Sequence, residues 1–379
     1  MPYWRLSGFY FFYFASLGAL LPFWGLYLQD RGFTPRAIGE LMAILMATKV
    51  VAPNVWGWLA DRSGQRMVSV RIASLLTGLM FLGVFQVQGF WYLALVMGLF
   101  GFFWNASLPQ VEAVTFNHLK EEVRRYASIR LWGSIGFILT VAGLGQALES
   151  WDTWVVPVLV LALYVGVGLS SLLVPEASNG AHPNQLGQLL LSPPRLELLA
   201  FFCACFMMQV SHGAYYAFYS IYLEQLGYSK ALIGELWALG VVVEVLMFLV
   251  MHHLLQRYGA QRVLVASLAL AVLRWLLIGG FPNHLWILAL AQCLHAATFG
   301  TFHASAIHLV HHYFPGRIQG RGQALYSSLS FGAGGAVGSL GSGYLWAGAD
   351  PAVTFSAAAV AALVGTVVAW IWVDPQRKY

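Results

Sequence analysis

Charge is what this sequence has least of. Its 379 residues include 20 Lys and Arg and 15 Asp and Glu, 9% of the chain, against 59% hydrophobic residues. Soluble domains usually carry about 25% charged residues, so a soluble enzyme and a disordered chain are both excluded. Cysteine is nearly as scarce. There are three, and Cys203 and Cys205, one residue apart in an apolar run, give neither a disulfide framework nor zinc-ligand spacing. No cofactor and no metal are expected. Catalytic signatures are missing as well: the chain has no His-Glu-x-x-His, Gly-x-Ser-x-Gly or Cys-x-x-Cys. Lys49, Lys120, Lys230 and Lys378 all lack the preceding glycine of a Walker A loop, which speaks against a primary pump as well as an intramembrane enzyme. Ten-residue alternating segments are absent too, so a membrane β-barrel is not expected.

Long apolar runs fill the space. A membrane-crossing helix takes about 20 apolar residues. Read between charged and turn clusters, the runs predict spans at 5–29, 37–60, 68–88, 90–116, 127–148, 153–174, 198–226, 231–255, 262–281, 284–311, 322–347 and 351–373. The first is too long for a leader, contains Pro22 and lacks a small-residue cleavage site, so it reads as a retained helix. Basic residues set the orientation. With both termini cytoplasmic, 14 Lys and Arg fall inside, among them Arg62, Arg66, Lys120, Arg124 and Arg257, and only Arg31, Arg36 and Lys230 fall outside. The net charge of +5 then serves the anionic inner leaflet and predicts no nucleic-acid partner.

The halves repeat at an offset of 195. Tyr27, Leu28, Gly32, Ile38, Gly39, Glu40, Leu41 and Ala43 recur as Tyr222, Leu223, Gly227, Ile233, Gly234, Glu235, Leu236 and Ala238. Shared hydrophobicity does not account for repeated glycines and a repeated glutamate. The expected fold is an all-α integral membrane protein, with twelve transmembrane helices in two pseudo-symmetric six-helix bundles. Residues 1–174 form the first bundle, 175–197 a cytoplasmic linker and 198–379 the second. This arrangement resembles the major facilitator transporters, whose substrate site lies between the halves at the midplane. The loop Gly57-Trp-Leu-Ala-Asp61-Arg62-Ser-Gly64-Gln-Arg66 resembles that superfamily's signature. Gly57 permits close packing, Gly64 a tight turn, and Asp61 a charged latch to neighbouring helix ends.

Ionisable groups inside spans are costly unless paired or hydrated, and so become functional candidates. Lys49 and Glu244 stand 195 apart, at equivalent positions of the two halves. Either they line a central cavity, with Glu244 exchanging a proton, or they form a static pair that fixes packing. Glu112 and Arg130, on spans joined by a short loop, make a second pair, with Asn105 on the same polar edge as Glu112. Arginine offers a planar fork to carboxylates, sugars or amides. Arg274, His295 and His303 make a third cluster, suited to a proton relay. Glu235 begins its span near the outer mouth, as a gate or as a plain helix start. His212, Tyr216 and Tyr219 share one helical face and form a candidate cavity wall. The aromatics of the first span, Phe9 to Phe14, are expected largely as a lipid-facing belt.

The residues Val111-Glu112-Ala113 and Ser128-Ile-Arg130-Leu-Trp-Gly133 resemble the lactose permease and the nucleoside:proton symporters. His212-Gly-Ala-Tyr215-Tyr216, Gly240-Val-Val-Val-Glu244, Val272-Leu-Arg274-Trp275 and Leu294-His295 resemble the phenylpropionate permeases. The resemblance implies sugar-site positions at Glu112 and Arg130, proton-coupling positions at Arg274 and His295, and a charged cavity position at Glu235. One departure matters: Thr298 stands where the lactose permease has its proton-releasing glutamate, which leaves Glu244 as the candidate carrier. The resemblance implies a proton symporter of a small aromatic carboxylate, working by alternating access as a monomer in a bacterial inner membrane. Nucleoside or oligosaccharide symport, proton-coupled export and a non-transporting sensor stand as alternatives.

Overall fold

The computed structural model describes residues 1–86, 89–119, 122, 125–177 and 195–374. Lys120, Arg124 and most of the expected linker lie outside the described residues. A bilayer gives the backbone no hydrogen-bond partners, so apolar runs of this length satisfy themselves as helices. Among the described residues twelve follow in order, the first six being α1 (Tyr3–Asp30), α2 (Pro35–Ser63), α3 (Arg66–Phe81, continued by a 3-10 stretch Leu82–Gln86), α4 (Phe90–Leu119), α5 (Tyr126–Ala147) and α6 (Val155–Leu173). The second half contributes α7 (Arg195–Gln225), α8 (Lys230–Tyr258) and α9 (Ala260–Gly280). Then come α10 (Leu285–His295, a π-helical turn Ala296–Thr301, Phe302–Tyr313), α11 (Gln319–Ser327, a π-helical turn Ser328–Gly334, Gly335–Gly348) and α12 (Pro351–Trp372). Among the described residues, eleven helices are long and apolar enough to cross a membrane. α11, interrupted by its π turn and rich in glycine and serine, is the one outside that set.

Turn chemistry repeats with the sequence. Thr34 Oγ1 accepts from Ala37 N–H at 3.4 Å, with Pro35 opening α2. Gly64 closes α2 in the left-handed region at φ +67°, and Gly259, 195 residues on, precedes α9 at φ +79°. Gly32 and Gly227 match likewise, at +83° and +84°. A side chain at any of these four would be strained.

The chain forms two compact units, Met1–Pro183 with Gly227–Ala238, and Asn184–Leu226 with Leu239–Tyr379. Packing follows one scheme in both. In the first unit α1 lies on α5 and α6, and α3 on α4 and α6; in the second α7 lies on α11 and α12, and α9 on α10 and α12. Glycines let the backbones meet, as they do between membrane helices generally. A Cβ at Gly18 would sit 2.8 Å from the Phe137 carbonyl oxygen, and one at Gly334 would sit 2.7 Å from that of Phe206. Gly213 and Gly338 face each other with no room for a Cβ. Gly334 and Gly338 are therefore occupied inside the second unit. Gly213→Ala should cost about 1–3 kcal/mol, because backbone rather than a side chain has to move. A thermal unfolding scan in detergent would register this as a lowered Tm, whereas Ala at Gly341, which faces open space, should leave Tm unchanged.

The expected aromatic belt on α1 is corrected by the structure. Phe9, Tyr10 and Tyr13 are buried, and Phe11, Phe12 and Phe14 are half-buried. α1 is enclosed by α5 and α6, and its rings pack inward: Tyr13 stacks on Trp104 at 5.3 Å, and Gly166 makes room for Phe12.

Candidate functional site

In the second unit the densest polar cluster forms around Arg274. On α9, Ser267, Ala271, Arg274 and Ile278 recur at helical spacing and are all buried. Arg274 is 0% exposed. Its Nε donates to the Ala291 carbonyl at 3.0 Å, Nη1 to Thr298 Oγ1 at 3.1 Å and Nη2 to Gln292 Oε1 at 3.4 Å. Its guanidinium carbon lies 4.3 Å from the Tyr215 ring centre and 4.6 Å from that of Trp275. Tyr215 also donates to Gln292 Oε1, at 3.0 Å. Among the described residues no carboxylate comes within 4.0 Å of the guanidinium, so every acceptor it meets is neutral. The surroundings have donors to spare. The buried Nε2 of Gln292 and Nε1 of Trp275 find no acceptor.

Beside Arg274 stands an acid–histidine pair. His295 Nε2 lies 3.6 Å from Glu244 Oε2, and the imidazole stacks on Phe299 at 5.3 Å. A glycine makes room for the acid: a Cβ at Gly300 would be 2.8 Å from Glu244 Cγ. Gly300 reaches Glu244 from the π turn, the kind of helix irregularity often found at functional sites. His212 packs edge-on against Trp275 at 4.9 Å. Its Nδ1 faces the Met208 carbonyl at 2.8 Å, which assigns the proton to Nδ1 and leaves Nε2 as a buried acceptor with no partner.

The first unit holds a looser arrangement. Glu112 (α4) and Arg130 (α5) are half-buried and not in contact: Glu112 accepts from the Tyr126 hydroxyl at 3.3 Å, while Arg130 lies over the Phe14 ring at 3.6 Å. Gly133 keeps that stacking open, since its Cβ would meet both Phe14 and Arg130 Nη1. Tyr10 shares a hydrogen bond with Thr115 at 3.2 Å and meets Tyr126 edge-on. Asn105 is buried, and its amide donates to Thr48 Oγ1 at 2.9 Å and to the Gly101 carbonyl at 3.0 Å, tying α4 to α2. Lys49, half-buried, makes no hydrogen bond or ion pair among the described residues.

Where α2 gives way to α3, Asp61 pairs with Arg66, and Arg66 Nη1 donates to Gln110 Oε1 on α4 at 2.6 Å. The link from the aspartate to a neighbouring helix therefore runs through arginine. Gly57 lies close to the Gln110 amide, and Arg62 sits over Trp58 at 5.5 Å.

The predicted residues are thus distributed unevenly. Arg274, His295, Glu244 and His212 come together, and Tyr216 lies 5.7 Å from His212. Tyr219 is buried against Tyr215 at 5.0 Å. His303 instead meets the Tyr326 hydroxyl of α11 at 3.1 Å. Glu235 is exposed near the start of α8 and groups with the first unit. Gln292 and Tyr215, outside the predicted set, join the cluster: Tyr215 contacts both Gln292 and Arg274. The signal for Tyr215 was its place in the same motif as His212.

Two compact units that share one packing scheme, with a charged group buried among apolar helices, define a membrane transporter rather than an enzyme. The chain belongs to the MFS_1 like family, whose model matches residues 3–357. It is 31% identical over 351 residues to the probable 3-phenylpropionic acid transporter of Escherichia coli (strain K12), covering 89% of each chain. It is 27% identical to the maltose permease of Geobacillus stearothermophilus, over 89% of this chain and 86% of that one. A crystal structure of a mutant nucleoside transporter NupG superposes with a TM-score of 0.85 at 18% identity, covering 99% of this chain and 100% of that one. At that identity the likeness speaks for the fold. The protein is a multi-pass integral membrane transporter of small organic substrates.

Proposed function

We propose that this transporter is a proton-coupled symporter of a small aromatic carboxylate, working by alternating access in a bacterial inner membrane. The observation that carries the reading is Arg274: a buried guanidinium with neutral acceptors on one side, aromatic faces against it and no carboxylate of its own. Burying an unpaired charge is costly, and a carboxylate ligand would supply the missing partner. Aromatic walls of Tyr215, Trp275 and Phe299 suit a ligand whose remainder is a ring. The name carried by the Escherichia coli relative points to the same chemistry.

In this reading Arg274 receives the carboxylate, Gln292 and His212 orient it, and Glu244 with His295 carries the proton. Glu112, Arg130, Lys49 and Asn105 supply the first unit's share of substrate handling, with Tyr216 and Tyr219 as wall. Asp61 and Arg62, between Gly57 and Gly64, act with Arg66 as the conformational latch. Transport of a neutral sugar or nucleoside is the second reading, favoured by the maltose permease relative and by the hydroxyl-rich surroundings of Glu112. It would leave Arg274 uncompensated. Proteoliposomes with an imposed inside-alkaline pH gradient separate the two. Accumulation of 3-phenylpropionate, abolished by a protonophore, is expected; accumulation of maltose or uridine without it would select the second reading.

A further inference from the structure

The π turn that presents Gly300 to Glu244 also lends Ala297 and Thr301 to a groove of about 410 Å3 enclosed by α8, α9 and α10. Its walls are apolar, with Leu254, Val263 and Leu270 among them, and one polar atom stands out. The hydroxyl of Ser267, a residue 1% exposed, lines the groove and has no hydrogen-bond partner. The groove ends at the α8–α9 loop, where Tyr258 and Arg262 form its rim. Arg257 lies over the Tyr258 ring at 5.4 Å, and the left-handed Gly259 turns the chain between the two arginines. Neither arginine has an acidic partner within 4.0 Å among the described residues. α8 beside the groove is a lipid-type surface, with Leu246, Phe248 and Leu249 all exposed.

A long apolar trough with two unpaired cations at one end is the complement of an anionic amphiphile. Continuity with the exposed apolar face of α8 makes the bilayer its source. We propose that this groove binds one anionic glycerophospholipid, its phosphate held by Arg262 and Arg257 and an acyl chain lying along α8 and α9 as far as Ala297 and Thr301. Guanidinium and phosphate pair in a charge-assisted, fork-like geometry, and a basic residue near the lipid surface adds electrostatic attraction. The chain end thereby abuts the π turn that carries Gly300.

Native mass spectrometry of the full-length protein, titrated with dioleoyl phosphatidylglycerol or dioleoyl phosphatidylcholine, tests this. One phosphatidylglycerol per chain should persist at activation energies that strip phosphatidylcholine. Arg262→Gln should weaken its retention about fivefold, the effect of one basic residue near a charged lipid surface. Ala266→Trp, which places an indole in the groove, should remove the adduct. Both positions are exposed, and unfolding curves in phosphatidylcholine matching wild type would confirm that the variants fold. Equal retention of the two lipids, or phosphatidylglycerol retained by folded Ala266→Trp as by wild type, would overturn the proposal and leave an annular lipid only.

Discussion

Arg274→Gln is expected to lower uptake of an aryl carboxylate at least about 30-fold, equivalent to ~2 kcal/mol, the lower end for losing one partner of a buried hydrogen-bonded charge pair. The same substitution should leave thermal stability unchanged or raised. The two expectations have one physical origin. A buried guanidinium without a carboxylate is a cost to the folded state that only a bound anion repays, and deleting an unpaired charge removes that cost. Were Arg274 a packing element instead, losing its bonds to the Ala291 carbonyl, Thr298 and Gln292 would lower Tm. Arg274→Lys should not rescue uptake. An ammonium is a point charge that cannot meet three acceptors in one plane and still offer a fork to a carboxylate. Nor does it stack as well between Tyr215 and Trp275. A lowered Tm in Arg274→Gln together with undiminished uptake per folded molecule would sink the anchor role. Binding of 3-phenylpropionate to detergent-solubilised protein, followed calorimetrically, gives the same comparison without any gradient.

Much of the fold could be read from the chain because bilayer physics leaves few choices. An apolar run of the right length must be a helix, and every predicted span coincides with a helix to within a few residues. The offset of 195 carries over to the turns, since Gly32 and Gly227 share one left-handed conformation. Which neighbour each side chain meets was harder to see. α7 is buried on nearly all sides, so helical spacing picked out the face of His212, Tyr216 and Tyr219 while the contacts to Gln292 and Arg274 fell to Tyr215. Gln292 is a neutral residue in an apolar helix, and its role depends on an arginine 18 positions earlier. The π turn of α10 has no local signature, yet it resets the register between His295 and His303 and turns the latter toward Tyr326. The aromatics of α1 had a belt-like composition, and only the packing of α5 and α6 around them determined that they are core.

Glu244→Gln should separate coupling from binding. Gln keeps the shape of the side chain against Gly300 and beside the His295 imidazole, which lies 3.6 Å from Glu244 Oε2, but it can neither release nor take up a proton. A symporter whose carrier carboxylate is gone can still exchange internal for external substrate, because exchange moves no net proton. It can no longer concentrate substrate against a gradient. With one proton per substrate, a pH difference of one unit stores ~1.4 kcal/mol, about a tenfold concentration ratio. In proteoliposomes under that gradient the wild type should approach this ratio, while Glu244→Gln should stop where internal and external substrate are equal. Counterflow under symmetric pH should continue in the variant at close to the wild-type rate. Loss of both activities in a protein with unchanged Tm would make Glu244 a substrate ligand, and full accumulation would remove it from the proton path. The second outcome would transfer the carrier role to His295, whose Nε2 lies 3.6 Å from Glu244 Oε2, with Thr298 unable to serve as a proton donor of that kind.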